Sequence, residues 1–198
     1  MQLGLFGGSF NPPHLAHVMA ALYCLETGAV EHILVVPCAD HPFGKDLAPF
    51  DHRLQMCRLA FARLGEGVEV SDIEGRRPPP SFTIDTVREL RRTRPDASLR
   101  LIVGSDILEE FERWKDAALL RRLAPLLVVP RSPERPGAGV KGSAAQSAEG
   151  GAAFALPAVS STTVRERLHR GEPVEGLIPR AVLDYIRRHR LYDADPGS

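Results

Sequence analysis

The chain has 198 residues, 43% of them hydrophobic and 25% charged, which is enough apolar mass for one domain with a proper core. Its 25 Lys and Arg balance 25 Asp and Glu, so bulk charge gives no pull toward nucleic acid or an anionic membrane. No run is long and apolar enough to span a bilayer. The three cysteines, Cys24, Cys38 and Cys57, lack C-x-x-C spacing, and the first residues read as a core strand, so no leader is expected. Reduced thiols and a cytoplasmic location are therefore expected.

The first apolar run, Leu3 to Phe6, reads as a buried strand. Gly7 and Gly8 follow, expected to make a tight turn and admit a ligand close to the backbone. Beyond Ser9-Phe10-Asn11-Pro12-Pro13, apolar residues recur at Leu15, Val18, Met19, Leu22 and Leu25, a helical spacing. The start of that helix would offer free N–H groups and partial positive charge to a phosphate. His14 and His17 share one face of its first turn, as two donors without fixed charge.

His32 to Pro37 reads as a second strand. Asp51 is a candidate cap for a helix carrying Leu54, Cys57, Phe61 and Leu64, with Cys24 and Cys57 expected in the core. Val68 to Val70 is a third strand, and Ser81 to Arg94 a helix with Ile84, Val87 and Leu90 aligned. Leu99 to Val103 is a fourth strand, followed by short helical pieces near Ile107–Phe111 and Asp116–Leu123 and by a fifth strand from Pro125 to Pro130. Residues 132–152, rich in Gly, Ala, Ser and Pro, read as a mobile surface loop. Phe154 to Val159 reads as a last short strand. Thr163 to Glu166 fits a capping box, and Pro179 suits the first turn of a final helix carrying Val182, Leu183 and Ile186. Strands alternating with helices define an α/β chain: one doubly wound, Rossmann-like parallel sheet with helices on both faces, in a single domain over 1–198.

The glycines after the first strand form neither a dinucleotide-binding G-x-G-x-x-G nor a P-loop. The string GGSFNPPHLAH instead resembles the G-G-[ST]-F-[DN]-P-x-H-x-G-H signature of the nucleotidyltransferase superfamily, with Ala16 where glycine is usual. VSSTTVR, residues 159–165, is similar to the I-S-S-T-x-[IV]-R motif of the same superfamily. Taken alone, those hydroxyls would be a plain helix cap and Arg165 a solvated cation. GSDILEEFERW, PSFTIDTVREL and GLIPRAVLDYIRRHRLY narrow the resemblance to bacterial nicotinate-nucleotide adenylyltransferases, over nearly the whole chain outside 132–152.

That resemblance implies a nucleotidyltransferase-type fold and an enzyme that joins ATP to nicotinate mononucleotide, giving deamido-NAD and pyrophosphate. It implies His14, His17 and Arg165 as catalytic residues. It places Phe6, Gly7, Gly8, Ser9, Gly104, Asp106, Ser161 and Thr162 around ATP, and Lys45, Phe82, Thr83 and Trp114 around the mononucleotide. Two departures touch the acceptor side: the loop after the second strand reads HPFGK rather than P-P-H-K, and Phe82 stands where tyrosine is common. Asp85 is expected to face its own helix N-terminus. No carboxylate cluster forms a metal site, so Mg²⁺ is expected to arrive on ATP. Small-molecule substrates are the expected partners, without nucleic acid or membrane; a homo-oligomer is left open. The rival readings are another acceptor, nicotinamide mononucleotide or pantetheine phosphate, and a non-catalytic nucleotide-binding protein.

Overall fold

The computed structural model describes residues 1–40, 46–131, 145–146, 152–153 and 156–193. Lys45, and the 132–152 segment apart from residues 145–146 and 152–153, lie outside them. The elements follow in the order β1 (Gln2–Gly8), α1 (Leu15–Glu26), β2 (His32–Pro37), α2 (Phe50–Phe61), β3 (Val68–Val70), α3 (Thr83–Thr93), β4 (Ser98–Gly104), α4 (Leu108–Phe111), α5 (Ala117–Leu123) and β5 (Leu126–Val129). Two short strands, β6 (Ala145–Gln146) and β7 (Ala152–Ala153), pair antiparallel, and α6 (Ser161–His169) and α7 (Arg180–His189) close the chain.

The main sheet is parallel throughout, in the order β3-β2-β1-β4-β5. The expected doubly wound sheet is thus present. Alternation along each strand splits the core in two. Leu3 and Leu5 face a cluster with Ile84, Val87, Leu90 and Phe111, while Phe6 faces one with Ala20, Cys24, Phe61, Val182 and Ile186. The apolar stripes read on α3 and α7 are buried as expected, and so are Cys24 and Cys57.

Helix α1 turns its face differently from the reading above. Met19 and Leu22 are exposed, while Ala16, Ala20, Ala21 and Cys24 are buried. Small side chains let the helix lie close on the sheet. The glycine pair does not turn either: Gly7 and Gly8 remain in β1, paired with Val36 and Pro37. The turn falls at Phe10, whose φ is +44°, before a cis Asn11–Pro12 bond. Two caps shift as well. Pro49, not Asp51, precedes α2, and Ser160, not Thr163, caps α6, its Oγ accepting from the Thr163 N–H at 3.1 Å. The strand expected at Phe154–Val159 reduces to one parallel bridge, Leu156 to Arg131, because Pro157 has no N–H to continue a ladder. Residues 154 and 155 lie outside the described set.

Arg53, 1% exposed, ties the loops together. Its guanidinium donates to the carbonyls of Ala48 at 2.8 Å, Ser9 at 2.9 Å, Cys38 at 2.7 Å and Ala39 at 3.1 Å. Arg53→Met leaves buried acceptors unpaired, at about 1–3 kcal/mol each. The expected loss is about 3 kcal/mol or more in urea unfolding, against a negligible change for the exposed Arg58→Met; equal midpoints would refute the brace.

Candidate active site

In an open α/β sheet the ligand crevice lies outside the carboxyl ends of the strands, where the strand order reverses. Here that point is between β1 and β4, and a cavity of about 460 Å³ opens there. One group of lining residues comes from β1, α1 and β4: Phe6, Gly7, Gly8, Ser9, His17 and Gly104, with Asp106 beyond. The other comes from the start of α3 and the loop after α4: Ser81, Phe82, Thr83, Trp114 and Lys115. A Cβ on Gly7 would meet nothing within 4 Å, so this backbone is open to a ligand.

The two histidines sit at the head of α1. His14 is its N-cap, and the rings of His14 and His17 stack with centroids 3.6 Å apart. His17 Nδ1 accepts from the His14 N–H at 3.1 Å, which puts its proton on Nε2. Burial lowers the pKa of His14 to about 3, with the Arg131 charge adding to the effect. Burial also holds His17 well below its usual value, helped by His14 and Arg131. Both rings are neutral near pH 7. The helix start offers fewer free donors than expected: the Leu15 N–H binds the Leu177 carbonyl at 2.9 Å and the His17 N–H binds that of His14 at 3.0 Å.

The second motif reaches the first. Ser161 Oγ donates to the Pro12 carbonyl at 2.8 Å, and Arg165 Nη1 donates to that of Asn11 at 2.8 Å. Thr162 Oγ1 lies 3.4 Å from Arg165 Nη2. Ser161, Thr162 and Arg165 are absent from the cavity lining and brace the loop that carries His14. Asn11 is gripped from other sides: its Oδ1 accepts from the Ala48 N–H at 3.1 Å and from the Tyr192 hydroxyl at 2.7 Å.

On the acceptor side Trp114 lies against Phe111, centroids 5.3 Å apart, and also lines the cavity, so packing and ligand contact coexist. Lys115 Nζ stands 4.2 Å from the Phe82 ring centroid and 3.4 Å from Asp85. Asp85 pairs also with Arg88 at 3.4 Å and does not line the cavity. Ser81 Oγ is buried without a partner.

Several cavity residues escaped the sequence reading, Arg131, Glu74 and Cys38 among them. Asp106, placed around ATP by the resemblance, is paired with Arg131 at 2.7 Å. Arg131 stands two positions past the end of β5, and a polar residue at the carboxyl end of a parallel strand was the available signal. Glu74 accepts the Thr86 hydroxyl at 2.8 Å, and burial raises its pKa. Cys38 lines the cavity with its thiol pushed up to about 11 by burial. No local pattern marked Glu74 or Cys38.

A parallel sheet in this order, with neutral donors beside open glycine backbone at its switch point, defines a nucleotide-handling transferase of the α/β class. A family model described as cytidylyltransferase-like matches residues 5–167. The chain is 43% identical over 194 residues to a "probable nicotinate-nucleotide adenylyltransferase" of Anaeromyxobacter dehalogenans, covering 96% of both chains. To one of the same name from Thermus thermophilus it is 38% identical over 194 residues, covering 97% of this chain and all (100%) of the relative. It superposes with TM-score 0.76 and 19% identity on the nicotinic acid mononucleotide adenylyltransferase of Plasmodium falciparum complexed with NaAD, over 96% of this chain and 97% of that one. The chain belongs to the cytidylyltransferase-like family and, within it, to the nicotinate-nucleotide adenylyltransferases.

The buried imidazoles set a pH dependence. A histidine whose folded pKa is depressed binds its proton in the unfolded chain first, so stability falls as pH drops through about 6.5 toward about 3 for His14. At pH 5 the loss from His14 is about 2 kcal/mol. His14→Gln is expected to narrow the gap between denaturation midpoints at pH 7 and pH 5; an unchanged gap would mean His14 titrates normally.

Proposed function

We propose that the chain transfers the adenylyl group of ATP to nicotinate mononucleotide, releasing nicotinate adenine dinucleotide and pyrophosphate. The observation that carries this is the single cavity that joins open glycine backbone and His17 to a second group of residues suited to a pyridine ring. The mononucleotide phosphate attacks the α-phosphorus of ATP. A P–O bond forms, the bond from that phosphorus to the pyrophosphate oxygen breaks, and pyrophosphate leaves with the electron pair. The nucleophile is already anionic, because a second phosphate pKa is about 6, so no general base is needed. Positioning and charge stabilisation supply the rate. His17 would donate Nε2–H to an α-phosphate oxygen, with His14 stacked behind it. Arg165 would hold the loop through Asn11. Mg²⁺ would ride on the ATP phosphates, neutralising them. Substrates are small molecules.

The acceptor preference follows from donors. The start of α3 and the Thr83 hydroxyl present donors, and Lys115 adds positive charge over Phe82. A nicotinate carboxylate accepts at both oxygens, whereas the NH₂ of a nicotinamide would meet donors. Glu74 also lines the cavity; it accepts from the Thr86 hydroxyl and has Arg77 at 3.9 Å, which offsets its charge toward the ligand carboxylate.

His17→Ala is expected to lower kcat by about 10²–10³-fold without unfolding the protein, since one transition-state donor contributes about 2.7–4 kcal/mol. Turnover within a few-fold of wild type would remove His17 from the phosphate site. The ratio of kcat/KM for nicotinate over nicotinamide mononucleotide is expected to be about tenfold or more in wild type and to shrink in Thr83→Val, from about 1–3 kcal/mol per unpaired group. A wild-type ratio near one would favour the broad-acceptor reading.

A further inference from the structure

We infer that Arg131 is a catalytic residue that grips the departing phosphates of ATP, with Asp106 as the counter-ion it gives up for them. This rests on the adenylyl-transfer reading above. Three cationic side chains line the cavity among the described residues: Arg113, Lys115 and Arg131. Arg113 and Lys115 flank Trp114, and Lys115 is engaged with Phe82 and Asp85 on the acceptor side. Arg131 stands at the end of β5, on the side of the histidine pair. Its charge reaches both rings, disfavouring a proton on His14 and on His17. A field that repels a proton at those nitrogens attracts the anion they would bind.

The backbone fixes this guanidinium before any substrate arrives. The Arg131 N–H donates to Ser105 Oγ at 3.0 Å, and Nη2 donates to the Val159 carbonyl at 2.9 Å. Its stem crosses Gly104 so closely that a Cβ there would fall 2.7 Å from Arg131 Cδ and collide with Asp106 Oδ1. Glycine at the end of β4 therefore seats the Asp106–Arg131 pair on the switch point itself. The pair is 2.7 Å long, but Asp106 is 49% exposed, so its net contribution is small. A polyphosphate carries more charge and matches the planar fork of a guanidinium in two N–H bonds at once. As the bond to pyrophosphate breaks, negative charge grows on the departing oxygens, and a preset cation there stabilises the transition state more than the ground state.

The test titrates inorganic pyrophosphate by calorimetry into wild type, Arg131→Ala and Arg131→Gln, and measures initial rates with ATP and nicotinate mononucleotide with and without millimolar guanidinium. In whichever variant keeps a wild-type circular-dichroism spectrum, pyrophosphate affinity is expected to fall about tenfold or more and kcat about 10²-fold or more. Added guanidinium is expected to restore part of the rate, which lost packing would not allow, and nicotinate mononucleotide affinity is expected to hold within about twofold. Unchanged pyrophosphate affinity, or failure of both variants to fold, would overturn the assignment, the latter by making Arg131 a structural residue. Wild type that binds pyrophosphate through Arg131 yet does not turn over nicotinate mononucleotide would instead overturn the acceptor reading and leave Arg131 in place.

Discussion

The site depends on one buried cation. Arg53 brings together the backbone of the loop after β1, at Ser9, the loop after β2, at Cys38 and Ala39, and the lead into α2, at Ala48. A parallel ladder fixes where strands run but not how the loops leaving their carboxyl ends are shaped. Four carbonyls aimed at one planar guanidinium supply that missing constraint. Asn11 extends the lattice to the far end of the chain through Tyr192, and Arg165 and Ser161 extend it to α6. Both family motifs are thus parts of one hydrogen-bonded floor under the histidines.

That floor explains the electrostatics above it. Two imidazoles stacked at 3.6 Å, buried and within reach of the Arg131 charge, disfavour a proton, so they stay neutral near pH 7. Arriving phosphate reverses the local field and strengthens each donor's bond without a proton having to move first. Chemistry whose nucleophile is already ionised asks for little beyond this: oriented donors, a cation with a fixed direction, and exclusion of slack. The Phe10 ring, wedged between Phe6 at 5.6 Å and Phe61 at 6.1 Å, keeps the loop from relaxing away from His17.

Much was legible in the residues themselves. Alternating apolar runs gave the sheet class, because burial on both faces demands continuous Val, Ile and Leu strands. The α3 and α7 stripes named their core faces because their polar residues fill the remaining arc. On α1 the same logic misled: Leu22 and Met19 are larger than Ala20 and Ala21, but the small residues face the sheet since only they allow close approach there. His17 and Gly7 stood out at the junction of the first strand and helix, whereas Thr83 and Trp114 were named by the family resemblance; all four line the same cavity.

Sequence by itself determined the fold class, the family and the end of the sheet where the site lies, because periodicity and local motifs encode these within short windows. Only tertiary structure decided which polar side chains work as partners. Asp106 meets Arg131 at a sequence separation of 25, Arg165 meets Asn11 at 154, and Tyr192 meets Asn11 at 181. Arg53 reads as an ordinary helix-surface arginine until the loops close over it. Long-range pairing of polar groups has no periodicity to read; it is fixed only when burial removes water and leaves each donor one acceptor to find.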